Sequence, residues 1–260
     1  MKTRCFQMTI PRITIPRLTI PLITILGSLL LASIVVTPSF AESSLADQIK
    51  NHMEQQSKGK NAHKFSAEDK ATMEKAAVDL AKAMPNPGLK VGQRAPEFTL
   101  PNAYGKQVQL SSLLKKGPVI INFYRGAWCP FCNLELRALK QNLSEFKKYG
   151  ATLISITPQK PDKSLQQVKK DKFPFDILSD LDSSVIKKYK MFFTLPPKLT
   201  ALYKKLGLDL EVFNGKGRNE LPVPGTYVLD KNGIIRAAYA NTDYTKRMEP
   251  QAIIDALKKL

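Results

Sequence analysis

Cysteine and histidine are scarce in this chain, at three and two residues among 260, and there is a single tryptophan. So few thiols exclude a small scaffold held by several disulfides, and so few Cys and His leave little for a zinc site. Arginine clusters interleaved with aromatics are also missing, although the formal charge is +18. The basic excess is mostly lysine, scattered as pairs from Lys115-Lys116 to Lys258-Lys259, which describes a solvated basic surface rather than a nucleic-acid groove. Beyond residue 41 no apolar run approaches bilayer length.

The first 41 residues differ from the rest. Lys2, Arg4, Arg12 and Arg17 precede an uncharged stretch from Leu18 to Ala41, and Ser39-Phe40-Ala41 places small residues where a signal peptidase cuts. A five-residue repeat, from Thr9, Thr14 and Thr19, carries Pro11, Pro16 and Pro21, which disfavour an ordinary helix. We expect an export signal over 1–41 and a periplasmic or secreted mature chain near Glu42; the alternative is an uncleaved anchor, the only membrane contact expected. Removing the four basic residues of the signal leaves a charge of +14. Cys5 departs with it, so Cys129 and Cys132 remain in a compartment where thiols oxidise, each the other's only internal partner.

Those two cysteines stand in Trp128-Cys129-Pro130-Phe131-Cys132. Upstream, Pro118 to Tyr124 is an apolar, β-branched strand, and Arg125-Gly126-Ala127 turns the chain. Downstream, Leu136, Leu139, Leu143 and Phe146 repeat at helical spacing. The thiols therefore fall in the first turn of a helix, where free N–H groups and the helix dipole favour a thiolate. A structural disulfide and half of a zinc site are the competing readings, and the zinc would need Cys5, His52 or His63, all far upstream. No metal and no cofactor are expected.

Residues 42–89 read as a helical extension. Leu45, Ile49 and Met53 repeat every fourth residue; after a polar stretch, Ser66 caps a second helix with Asp69 three positions on and Met73, Ala76, Ala77, Leu80 and Met84 along one face. His52 and His63 lie here, away from the thiols. From residue 90 strands alternate with helices. Strands are expected at Phe98–Leu100, Val108–Leu110, Thr152–Ile156 and Phe175–Leu178, and a hairpin at Thr226–Leu229 and Ile234–Tyr239. Helices are expected near Ser164–Lys170, over Asp182–Tyr189 and from Pro250 onward, with a loop-rich insertion over 191–221.

Val91 to Leu100, the run Phe123-Tyr124-Arg125-Gly126-Ala127-Trp128-Cys129-Pro130-Phe131-Cys132, and Tyr227 to Asp230 with Gly233 resemble the alkyl hydroperoxide reductase/thiol-specific antioxidant family, in particular its peroxiredoxin-like members with C-x-x-C. The resemblance covers roughly 90–260, with Tyr244 and Arg247 in the signature but without a catalytic role, and leaves the extension outside. It implies an α/β fold, thioredoxin-like in three layers around a central mixed sheet, preceded by the helical extension. Cys132 falls at the peroxidatic position, Cys129 at a family Thr, Arg125 at a family Pro, and Glu135 at a common glutamate. Pro224 stands where peroxiredoxins use an Arg and thioredoxins a cis-proline. The expected function is a thiol-dependent peroxidase reset by an external dithiol such as a thioredoxin-like protein. The alternatives are an exported thiol-disulfide oxidoreductase, in which Cys129 attacks, and a non-catalytic binding domain that uses the insertion. Cys129 and Cys132 are the expected catalytic pair, supported by Trp128, Arg125, Glu135 and Pro224.

Overall fold

The run Val119-Ile120-Ile121-Asn122-Phe123 has apolar side chains on both of its faces apart from Asn122, so it suits a strand covered on both sides. In the computed structural model, which describes residues 43–58 and 65–260, it is the central strand of a five-stranded sheet and all five residues are buried. The export signal lies outside the described residues, as does His63. The extension forms α1 (Leu45–Lys58) and α2 (Ala67–Ala83). A hairpin of β1 (Thr99–Pro101) and β2 (Gln107–Gln109) then leads through α3 (Leu110–Leu114) into β3 (Val119–Phe123).

The thiol helix is split into α4 (Pro130–Gln141) and α5 (Leu143–Lys148). At the break, Asn142 turns its side-chain amide back to donate to the Ala138 carbonyl, a local bond that competes with helix continuation. There follow β4 (Thr152–Thr157), α6 (Pro161–Asp171), β5 (Asp176–Ser179) and α7 (Ser184–Lys188). The segment expected to be loop-rich is ordered into β6 (Phe192–Thr194), α8 (Pro197–Lys205), α9 (Leu210–Asn214) and β7 (Glu220–Pro222), with β6 and β7 paired antiparallel. These pieces are too short for a periodic signal to separate them from turns. The chain ends with β8 (Gly225–Leu229), β9 (Ile235–Ala240) and α10 (Pro250–Leu257).

The sheet order is β5-β4-β3-β8-β9; β4 and β5 run parallel to β3, β8 pairs antiparallel with β3, and β9 pairs antiparallel with β8. This is the mixed sheet expected. Val119, Ile121 and Phe123 face one layer, packing with Val185, Ile186 and Tyr189 around α7. Ile120 faces the other, with Leu139 and Phe146 of the thiol helices and Ile253 and Leu257 of α10.

The extension is not peripheral. Leu45 and Ile49 are buried, and they share an apolar cluster with Cys129, Phe131, Cys132 and Leu136. His52 meets the Phe131 ring edge-on at 5.7 Å between centroids, so it packs against the thiol helix and not away from it as expected. The start of α1 is held by α10's N-cap residue: the Glu249 carboxylate accepts from the Leu45 and Ala46 N–H groups at 3.0 and 2.8 Å. The capping box of Ser66 and Asp69 forms on α2, and Asp69 also meets Lys205 of α8 at 2.9 Å.

Candidate active site

Cys129 is the N-cap residue of α4 and Cys132 lies in its first turn; both are unbridged and buried, at 1% and 0% exposure. The turn before them needs glycine. Gly126 has φ +148°, and a Cβ there would come within 2.5 Å of the Trp128 indole nitrogen. Gln159 then pins the turn by accepting from the Ala127 N–H at 3.0 Å, while Asn133 donates to the Ala127 carbonyl at 2.9 Å.

Two guanidinium groups converge on the sulfurs. Arg247 donates from Nη2 to Cys132 Sγ at 3.4 Å and from Nε to Glu135 Oε2 at 2.8 Å, an ion pair whose side chains are each 1% exposed. Its Nη1 donates to the carbonyls of Tyr244 and Lys246, which fixes its orientation. Behind it, Asn122 of β3 donates to Thr226 of β8 and Thr226 donates to the other Glu135 oxygen, so the carboxylate is held from both sides. Burial raises the Glu135 pKa to about 7, against the opposing pull of Arg247.

Arg125 is the second guanidinium near the pair. Its guanidinium lies 4.8 Å from the Trp128 ring centroid and 4.7 Å from that of Tyr244, and Nη2 donates to the Tyr203 hydroxyl at 2.9 Å. It is 4% exposed, and its Nε has no partner. Burial works against ionisation of Cys129, but the hydrogen bond from Cys132 and the charges of Arg125 and Arg247 outweigh it and lower the pKa to about 6. Burial and the neighbouring Cys129 push the Cys132 thiol up. The two guanidinium charges thus favour one negative charge on the coupled pair of sulfurs.

Arg125, Trp128 and Glu135 therefore lie close to the two cysteines. Pro224 differs from expectation. There is no cis peptide among the described residues, so the cis-proline platform of a thioredoxin is not formed; Pro224 instead lines a cavity with Arg125 and Tyr244, and its carbonyl accepts from the Asn241 N–H. The contact of Arg247 with the thiols is unexpected, because the family guanidinium aligns with Pro224. The available signal was Glu135, a carboxylate on the apolar face of a helix, which requires a buried cation. Among the described residues no cluster of His, Cys, Asp and Glu fits a metal ion.

A thioredoxin-type sheet with a helix-capping dithiol and two arginines defines a thiol-based oxidoreductase. The sequence profile of the AhpC/TSA family matches residues 91–238, and the chain belongs to that family as a peroxiredoxin-like member. It is 31% identical over 169 residues to the chloroplastic peroxiredoxin Q of Sedum lineare, covering 65% of this chain and 76% of that protein. With peroxiredoxin Bcp of Escherichia coli strain K12 it shares 36% identity over 101 residues, 39% of this chain and 64% of the relative. The solved structure of peroxidoxin BcpB from Mycobacterium tuberculosis superposes with a TM-score of 0.53 at 20% identity, over 66% of this chain and 98% of that one, a likeness of fold.

Proposed function

We propose that this thiol-dependent peroxidase reduces hydroperoxides through the Cys129/Cys132 pair, with Cys132 as the attacking sulfur and Cys129 as its base, acid and resolving thiol. The contact between Arg247 and Cys132 carries this assignment, because it puts a fixed guanidinium beside the sulfur that matches the family's peroxidatic position. The proton shared by the coupled pair resides on Cys129 in the reactive form, which leaves Cys132 as the thiolate beside Arg247. Cys132 then attacks the terminal peroxide oxygen, and the O–O bond breaks to leave a sulfenic acid and an alkoxide, which takes the proton from Cys129. Cys129 next attacks the Cys132 sulfur and expels hydroxide, which a solvent proton converts to water. An external dithiol reduces the disulfide; peroxiredoxins in general use a thioredoxin-like reductant. Arg125 and Arg247 stabilise negative charge on the departing oxygen.

The readings of a disulfide exchanger and of a non-catalytic domain are not favoured by the relatives. Export of the mature chain from near Glu42 stays part of the proposal, supported by the basic then apolar first 41 residues. Among the described residues no helix is long and apolar enough to cross a membrane. The test uses single variants under peroxide. Cys129→Ser is expected to stop after one turnover with a sulfenic acid trappable on Cys132, while Cys132→Ser is expected to lose peroxide consumption altogether. Undiminished turnover in Cys132→Ser would reverse the two roles.

A further inference from the structure

A cavity of about 580 Å³ lies between α2 of the extension and the β6–α8 insertion, and reaches Arg125. Its volume falls within the ~300–1,000 Å³ typical of small-molecule sites. Met73, Ala76 and Leu80 of α2 form one wall; Leu195 and Leu199 of the insertion form another. The polar lining divides by depth. Glu74 and Asp79 are exposed, so they stand at the mouth, whereas Arg125 is 4% exposed and stands at the floor beside the half-buried Tyr203. Arg125 is clamped between two rings and a hydroxyl, yet its buried Nε–H has no acceptor. A buried donor without a partner at the end of an apolar channel fits an oxygen-bearing head on a hydrocarbon tail.

We propose that this cavity is the tail site for a long, electrically neutral alkyl hydroperoxide, with the hydrocarbon between α2 and α8 and the peroxy group on Arg125 beside the thiols. The proposal rests on the peroxidase reading above and adds the substrate's shape. The α2 wall lies outside the residues that match the family, so the site belongs to this chain's own extension. Glu74 at the mouth favours a neutral far end over a carboxylate, while Asp79 beside it is paired with Lys75 at 2.8 Å. Each methylene that enters an apolar wall is worth ~0.8 kcal/mol, a factor of roughly four in the specificity constant.

The test is the rate of the full chain with hydrogen peroxide and with butyl, octyl and dodecyl hydroperoxide, using dithiothreitol as reductant. The specificity constant should climb with chain length until the cavity is full. Ala76→Phe, which fills the wall away from the thiols, should reduce the dodecyl rate at least tenfold and leave the hydrogen peroxide rate unchanged. Binding has a separate readout in Trp128, the only tryptophan, whose ring packs on Arg125. Titration with redox-inert 1-dodecanol should change its fluorescence in the natural chain and not in Ala76→Phe. Equal rates for all chain lengths, or an Ala76→Phe variant indistinguishable from the natural protein, would overturn the tail site. Alcohol binding without turnover of any peroxide would overturn the peroxidase reading while supporting the cavity as an alkyl site.

Discussion

Arg247 joins two groups that would otherwise be costly to bury, the Glu135 carboxylate and the negative charge shared by the sulfurs. Removing one member of a buried ion pair strands the other, at a cost of ~3–5 kcal/mol, whereas removing both together costs less. Arg247→Met should therefore lower stability in urea by about that amount, and the double variant Arg247→Met/Glu135→Gln should recover part of the loss. The same substitution should also raise the thiolate midpoint, which ultraviolet absorbance of the natural protein should place near pH 6 if Arg125 and Arg247 act as described. The sign follows from the folded pKa lying below the ordinary thiol value of about 8.5. The reduced protein holds this stabilisation above that ordinary value and loses it as pH falls through about 6. A midpoint unchanged in Arg247→Met would assign the thiolate to Arg125 and the helix start alone.

At the scale of elements, α1 depends on a carboxylate far away in sequence. Glu249 satisfies two of the free N–H groups at its start and places negative charge at the positive end of the helix. Glu249→Ala should cost ~0.5–2 kcal/mol, with the loss concentrated in hydrogen exchange of α1 rather than spread over the sheet; uniform loss would show that α1 and the sheet open together. The existence of α1 is legible in the spacing of Leu45, Ile49 and Met53, although Met53 proves to be exposed. Its partner is not, since periodicity marks an apolar face without saying what covers it. The long strands and the helix-capping thiols were legible for the same reason, because each has a period or a capping position of its own. The insertion was not, since β6, β7 and α9 are three to five residues long and owe their form to tertiary packing of Leu195, Leu210 and Leu221. Arg247 sits 112 residues from Glu135, in a segment between β9 and α10 that has no periodicity to announce it.

For the molecule as a whole, the extension and the thiol site form one packed body, and this sets how large a reactant can reach the sulfur atoms. Both cysteines are covered, with Leu45 and Ile49 of α1 in the same cluster. A small peroxide needs only a side-chain fluctuation to enter, but a protein dithiol must bring its own sulfur into contact with the disulfide, which requires part of this cover to move. Truncating Ile49 to Ala removes buried contacts worth ~2–5 kcal/mol, so much of that loss should appear as easier opening of α1. Because ~1.4 kcal/mol is tenfold in an opening equilibrium, alkylation of the reduced pair by a bulky maleimide should accelerate at least tenfold in Ile49→Ala. Oxidation by hydrogen peroxide should change much less. Parallel acceleration of both reactions would mean that α1 screens the thiols from every reactant, and equal maleimide rates in the two proteins would mean that large reactants enter from the other side, through the Arg125 cavity.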